Sequence, residues 1–148
     1  MTVPKDQKQK KVYYAWSKGR VLSTSGRGSL IDMAIRLSGA ANACPLEMEA
    51  PNVGAETIYK WNPDLIILWN SKLTDVYNLK ELAALPAVKN KQVFVMSPSF
   101  PFDPHTVKFM LFAKQVRHWC FSDYTKQQLD QDMTVAFEKL YGKAGLLQ

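Results

Sequence analysis

Reactive and metal-binding side chains are scarce in this chain, which has two cysteines and two histidines in 148 residues. Cys44 and Cys120 lack the CxxC spacing of a zinc knuckle or a thioredoxin-type redox motif, so both of these classes are disfavoured. A buried free thiol is the ordinary interpretation of each cysteine. A Cys44–Cys120 bridge in an oxidising compartment is the alternative.

Long apolar runs are absent as well. No stretch approaches the roughly 20 residues that span a bilayer, and the first eleven residues lack the apolar core of an export signal. The sequence as it stands therefore predicts a soluble domain. If the natural protein is exported, we expect that its leader has been removed from this sequence.

Motifs for phosphate binding and nucleophilic catalysis are also missing. The sequence contains no GxxxxGK(S/T) loop and no GxSxG elbow. Gly26-Arg27-Gly28 begins like a dinucleotide loop, but Ile31 occupies the position of the third glycine. The carboxylates show neither a paired arrangement nor metal-ligand spacing, so we expect no enzyme, no resident metal and no cofactor.

The net charge of +6 comes mainly from the N-terminal part of the chain. Residues 1–20 contain six basic side chains against Asp6 alone, and the remainder contains 13 basic and 12 acidic residues. A short basic run is typical of a solvated tail or a cut linker, whereas a nucleic-acid interface needs basic residues gathered on one face. We therefore expect no nucleic-acid partner and assign residues 1–11 to a polar arm or cut linker.

The rest of the composition is that of a globular protein. Hydrophobic residues make up 47% of the chain and charged residues 22%, close to the averages for soluble domains. The length suits one domain with a core and is too short for two of ordinary size. Residues 12–148 are therefore expected to form a single lobe.

Short apolar runs alternate with helical patterns along that lobe. The patterns predict strands at residues 12–16, 21–24, 64–69 and 92–96, and helices at about 29–39, 53–61, 76–85, 105–119 and 125–141. The run from Asp64 to Trp69 is continuously apolar after its first residue, as in a strand buried on both faces of a parallel sheet. This alternation predicts an α/β fold, a three-layer Rossmann-like lobe with a mostly parallel sheet flanked by helices.

Local signals mark several helix boundaries. Ser29 stands three residues before Asp32, which is a capping-box-like start, and Gly39 suits the left-handed residue that follows a helix. Pro63 and Pro86 are expected to end the helices that precede them.

Aromatic and cationic side chains occur in the loops that follow the predicted strands. Ligands of open α/β sheets bind outside the carboxyl ends of the strands. Aromatic faces with a few cations suit a large, flat or anionic ligand, although the same aromatics are compatible with a core or a protein contact. Position on this rim predicts five ligand-binding residues: Trp16, Arg27, Trp69, Phe102 and His105.

The order of several motifs resembles the C-terminal lobe of the substrate-binding proteins that serve ABC importers of iron-siderophores, haem and cobalamin. The most specific block is VGAETIYKWNPDLIIL at residues 53–68, similar to the family stretch in which a glutamate precedes a Pro-Asp pair and a strand. Four further segments resemble family segments in the same order: TSGRGS at 24–29, LSGAAN at 37–42, LPAVKNKQVFV at 85–95 and FEKLYG at 137–142.

The resemblance implies a non-catalytic binding module that forms one wall of a cleft for a metal chelate, on the periplasmic or outer face of a bacterial membrane. In that family two lobes clamp the ligand, so the N-terminal lobe would be missing from this sequence. A glutamate on each lobe typically docks on arginines of the ABC permease, and Glu56 occupies the matching position. A lipid anchor on the full-length protein is compatible with this assignment.

Two other hypotheses remain open. A small Rossmann-like domain of an enzyme would bind a nucleotide or serve a metallocluster enzyme, although the phosphate loop is missing. An interaction module would use the aromatic rim to contact another protein.

Overall fold

Four short strands form one parallel sheet in the computed structural model, which describes residues 1–15, 21–96 and 109–141. The strands are β1 (Lys11–Ala15), β2 (Ala41–Asn42), β3 (Leu65–Leu68) and β4 (Val93–Val95), and they lie in the order β2-β1-β3-β4. The longest pairing joins β1 to β3, with Val12 opposite Leu65 and Ala15 opposite Leu68. All pairings within this sheet are parallel.

Six α-helices and one 3₁₀ helix connect or cover the strands in the described ranges. They are α1 (Leu30–Leu37), α2 (Ala55–Trp61), α3 (Leu73–Tyr77), the 3₁₀ helix (Lys80–Leu82), α4 (Pro86–Lys89), α5 (Phe109–Cys120) and α6 (Lys126–Tyr141). None of these helices combines the length and apolar character of a membrane span.

The core lies on both faces of the sheet because successive strand residues point to opposite sides. In β1, Val12 and Tyr14 belong to the cluster that packs on α1 and α5, whereas Tyr13 and Ala15 belong to the cluster on the side of α2, α3 and α4. All four of these side chains are fully buried. The predicted fold class, a three-layer Rossmann-like α/β lobe, is confirmed.

The predicted boundaries of α1 are also confirmed. The Ser29 hydroxyl accepts a hydrogen bond from the Asp32 N–H at 3.1 Å, and Gly39 has a φ of +91° just beyond the helix. Asn62 ends α2 in the left-handed conformation directly before Pro63.

The segment at residues 21–24 differs from the prediction of a strand that follows β1. Ser23 forms only an isolated antiparallel bridge with Asn52, and the Val53 N–H donates to the Leu22 carbonyl at 2.9 Å. β1 has no free edge for a hairpin partner because β2 and β3 flank it. The segment therefore pairs with the chain that leads into α2.

Two further predictions are corrected by the structure. The single helix expected at residues 76–85 is replaced by α3 and the 3₁₀ helix, and Pro86 starts α4 instead of ending a helix. Proline is tolerated there because the first turn of a helix leaves its N–H groups without intrahelical partners. The two-residue strand β2 lies within residues 40–52, between two predicted helices, where the patterns predicted no strand. It was missed because a strand this short leaves no periodic pattern.

Candidate functional site

Trp69 lies at the carboxyl edge of the sheet, directly after β3. Its backbone N–H donates to the Ala15 carbonyl at 3.0 Å, which ties the ends of β3 and β1 together. Its side chain is half-buried and packs against the core cluster beneath α1 and α5. Asn70 follows in the left-handed conformation and turns the chain toward α3. The indole is therefore held by the core and remains partly open at the strand ends.

Arg27 is exposed in the loop before α1, and its backbone is fixed. The Arg27 N–H donates to the Leu46 carbonyl at 2.7 Å, and the Gly26 N–H donates to the Glu49 carbonyl at 3.3 Å. A Cβ atom at Gly26 would lie 2.0 Å from the Met48 carbonyl oxygen, so this close approach of two backbones requires glycine. The loop thus presents the arginine from a defined position.

Asp32 is the centre of a buried polar network behind this loop, with 2% of its surface exposed. Its carboxylate accepts hydrogen bonds from the Gly28 N–H at 3.0 Å and the Asn42 amide at 3.1 Å, and it pairs with Arg36 at 2.9 Å. The Asn42 amide also donates to the Ser25 carbonyl at 3.0 Å. The carboxyl end of β2, the loop and α1 are therefore joined through one carboxylate and one amide.

Sequence reasoning missed this network, although weak signals were present. Asp32 was recognised only as the acidic partner of a helix start, and Asn42 only as the end of a segment that resembles a family motif. Neither signal indicated that the two side chains meet.

The structure describes two of the five predicted ligand-binding residues, and it places both at the carboxyl edge of the sheet. The loop with Arg27 adjoins the end of β2, and Trp69 follows β3, two strands away and thus about 10 Å across the sheet. Trp16, Phe102 and His105 lie outside the described residues. The ligand-binding roles of all five residues stay predictions.

Glu56 lies in the first turn of α2 and is exposed. A helix that connects two parallel strands starts on the side of their carboxyl ends, so Glu56 lies at the same end of the lobe as Arg27 and Trp69. A carboxylate in the first turn is also favoured by the helix dipole.

The comparison with protein families decides the assignment. A family model described as periplasmic binding protein matches residues 2–100 of the chain. The chain belongs to this family. No curated protein matches it significantly.

Solved structures of periplasmic binding proteins share the fold of this chain. The periplasmic solute binding protein of Veillonella parvula matches with a TM-score of 0.73 and 23% identity, over 94% of this chain and 44% of that one. The molybdate periplasmic binding protein MolA of Haemophilus influenzae, bound to molybdate, matches with a TM-score of 0.71 and 20% identity, over 94% of this chain and 44% of that one. A protein of the Fe³⁺-hydroxamate transport system of Saccharomonospora viridis matches with a TM-score of 0.66 and 19% identity, over 77% of this chain and 42% of that one.

These likenesses confirm the fold predicted from the sequence, and the family model confirms the family resemblance. The chain spans less than half of the length of each of these structures. At identities this low, the structural matches establish the fold of the chain. They do not identify its ligand.

One cavity in the described part of this periplasmic binding protein chain is lined by neither Arg27 nor Trp69. It is a groove of about 600 Å³ between β4 and α6. Its wall includes Phe94 and Trp119, whose rings stack with centroids 5.1 Å apart, and Leu129, Met133 and Phe137 of α6. The groove runs along β4 and reaches Leu73 at the start of α3. Nothing in the sequence predicted it.

Both cysteines are free and buried. Burial raises the pKa of the Cys120 thiol to about 12 and also raises the pKa of Cys44. Protonated thiols are poor nucleophiles and poor metal ligands. Within residues 1–15, 21–96 and 109–141, no three His, Cys, Asp or Glu side chains are grouped to hold a metal ion.

Proposed function

We propose that this chain is the C-terminal lobe of a substrate-binding protein that delivers a metal chelate to an ABC importer. The chelates proposed are iron-siderophore, haem or cobalamin, and the location is the periplasmic or outer face of a bacterial membrane. One observation carries the proposal: a periplasmic binding protein lobe presents a half-buried tryptophan and a fixed, exposed arginine at the carboxyl edge of its parallel sheet. The lobe is a non-catalytic binding module, and ATP hydrolysis belongs to separate subunits.

The chemistry of the two described rim residues supports a chelate. The Trp69 indole offers a face for a large or flat ligand, and the Arg27 guanidinium pairs with carboxylate or phenolate oxygens. Because the backbone of Arg27 is held by the loop at Leu46, less conformational entropy is lost when a ligand binds. The structural neighbours broaden the range of probes, since one belongs to an Fe³⁺-hydroxamate transport system and another is bound to molybdate.

Tryptophan fluorescence tests the binding wall directly. The chain is titrated with a ferric hydroxamate siderophore, haemin, cobalamin and molybdate, and N-acetyltryptophanamide is titrated in parallel to correct for absorption by the coloured ligands. We expect saturable quenching by one of these probes. It should weaken in Trp69→Phe and Arg27→Ala and persist in the matched control Trp61→Phe, since Trp61 lies at the far end of α2.

Two outcomes would contradict the proposed wall. One is quenching that matches N-acetyltryptophanamide for every probe. The other is quenching that Trp61→Phe weakens as much as Trp69→Phe does.

Docking on the permease is the second part of the proposed function, and Glu56 is the proposed contact. An exposed acid at the ligand end of the lobe steers encounter and register with a basic partner more than it adds affinity. We expect Glu56→Gln to weaken binding to the cognate ABC permease in nanodiscs by about two- to fivefold at low salt, and less at high salt. The matched control is Glu81→Gln, because Glu81 is an exposed acid in the 3₁₀ helix. An equal effect of both substitutions would refute a specific role for Glu56.

The alternative of a nucleotide-binding enzyme domain is not favoured. Ile31, at the place of the third glycine of a dinucleotide loop, is buried in the core beneath α1. The family match also points to a binding protein. Saturable binding of a nucleotide at micromolar concentration would reverse this preference.

A further inference from the structure

Arg117, near the end of α5, is a buried arginine with only 6% of its surface exposed. Its Nη1 donates to two backbone carbonyls, that of Thr2 at 2.6 Å and that of Ser38 at 2.9 Å. Its Nε and Nη2 form a bidentate pair with the carboxylate of Asp123. The guanidinium also lies over the Phe121 ring, 4.5 Å from the centroid. One side chain therefore joins the N-terminal segment, the end of α1 and the turn after α5.

The first nine residues of the N-terminal arm have further contacts with the same region. The Gln7 side chain donates to the Ser122 hydroxyl at 2.7 Å and accepts from the Ser122 N–H at 3.3 Å. The Gln9 amide donates to the Gly39 carbonyl at 3.2 Å. Val3 packs against the core cluster beneath α1 and α5. These contacts are independent of Arg117 and distribute the attachment along the arm.

Gly39 shows how closely the arm approaches the lobe. A Cβ atom at this position would lie 2.6 Å from Nη1 of Arg117, 3.4 Å from the Thr2 carbonyl oxygen and 3.5 Å from that of Met1. The left-handed conformation of Gly39 and the absence of a side chain leave space for both the guanidinium and the arm.

This attachment lies at the end of the lobe opposite the proposed ligand rim. The arm leads into the start of β1 at Lys11, and the Ala41 N–H at the start of β2 donates to the Lys10 carbonyl. The rim lies at the other ends of these strands. The 12 residues of α5 run between the two ends over about 18 Å, at about 1.5 Å per residue.

We infer that Arg117 locks the arm onto the lobe, so that residues 2–9 and the lobe move as one rigid unit. Arg117 is a positioning residue, because it acts on the arm and touches no proposed ligand. The attachment of the arm does not depend on the proposed function, but the consequence that follows from it does. In a two-lobed binding protein, the pivot between the open and closed states would then lie outside residues 2–9. The rim would swing about that pivot with the full length of the lobe as the lever arm.

Limited proteolysis of this chain tests the lock without any ligand, so its outcome is independent of whether a chelate binds. Trypsin cleavage after Lys8, an exposed residue of the arm, is followed by intact mass spectrometry. Arg117→Lys keeps the charge and removes the planar fork that reaches three partners at once. We expect it to accelerate this cleavage roughly tenfold, since it breaks the charge-assisted bond from Arg117 to the Thr2 carbonyl of the arm. The thermal transition should remain cooperative.

Two variants separate a local lock from general destabilisation. Lys114→Met removes another cation of α5, one that pairs with Asp132 of α6, and should leave the cleavage rate unchanged. Gln7→Ala removes only the contact with Ser122 and should have a smaller effect than Arg117→Lys. Hydrogen exchange at the Ser122 N–H should accelerate in Arg117→Lys, because its acceptor lies on the arm.

The lock would be refuted by either of two results. The first is wild-type cleavage after Lys8 as fast as in the urea-unfolded chain. The second is acceleration in Arg117→Lys and Lys114→Met alike, in proportion to their loss of global stability, since the arm would then open only when the whole lobe unfolds.

Discussion

At the scale of single residues, two buried charged groups fix the local geometry. Asp32 satisfies donors from three segments, and Arg117 satisfies acceptors from three others. A buried charge is tolerated when it is paired and hydrogen-bonded, and removing its partners is costly. The network of Arg117 leaves no local signal in the sequence because its partner Thr2 lies 115 positions away.

Removing the Asp32 carboxylate should destabilise the lobe. Asp32→Ala leaves the Gly28 N–H and the Asn42 amide without their acceptor, and we expect a loss of about 2–3 kcal/mol in the free energy of unfolding, measured with urea. Asp75→Ala is the control. Its carboxylate accepts only from the Lys72 N–H at an exposed helix start, so about 1 kcal/mol is expected. Equal losses of unfolding free energy in the two variants would show that the buried network around Asp32 stabilises the fold no more than one exposed capping bond does.

Acid should weaken the attachment of Asp123 to Arg117. The hydrogen bonds from Arg117 hold the pKa of the Asp123 carboxyl below its usual range. A depressed folded-state pKa contributes stability that is present above the unfolded pKa, about 3.9, and is lost as pH falls through the folded value. The free energy of unfolding should therefore fall below about pH 4, and the fall should be smaller in Asp123→Asn. The same slope in wild type and variant would contradict this assignment.

At the scale of secondary-structure elements, the loop before α1 depends on a second loop that covers it. The backbone from Leu46 to Glu49 lies directly on Gly26 and accepts hydrogen bonds from Gly26 and Arg27. The position of Arg27 is thus set by a segment about 20 residues further along the chain. Element boundaries such as Ser29 and Gly39 are local, whereas this contact is not.

Gly26→Ala should separate the two loops. The new Cβ would lie 2.0 Å from the Met48 oxygen and 2.3 Å from the Leu46 oxygen, both of them backbone atoms that cannot rotate away. We expect a loss of about 1–3 kcal/mol in stability, measured by urea unfolding. Gly54→Ala is the matched control, since nothing lies within 4 Å of its Cβ position. Its effect should stay below about 1 kcal/mol. A loss for Gly54→Ala as large as that for Gly26→Ala would argue against the steric explanation.

At the scale of the whole molecule, the lobe is a sheet enclosed between two layers of helices. Cys120 belongs to one of the two core clusters, and Cys44 is buried just after β2. Among the described strands β4 is the last in the order across the sheet, and it lines the groove against α6. The chain spans less than half of the length of these structural neighbours.

Thiol reactivity should report the integrity of this enclosed core. Because burial raises the pKa of Cys44 and Cys120, both remain protonated and shielded near neutral pH. We expect the native chain to react with Ellman's reagent on the order of 100-fold more slowly than the urea-unfolded chain. Rapid modification of one thiol in the native chain would show that its segment opens independently.

Features that neighbouring residues cause could be predicted from the sequence. Alternation of apolar and helical patterns predicted the α/β class, Ser29 and Gly39 predicted the ends of α1, and the block at residues 53–68 indicated the family. The folded structure was needed for the pairing of residues 21–24, the position of β2, the networks of Asp32 and Arg117 and the groove beside β4. Capping and periodicity arise within one or two turns of the chain, whereas buried polar partners and cavities arise from segments that meet only after folding.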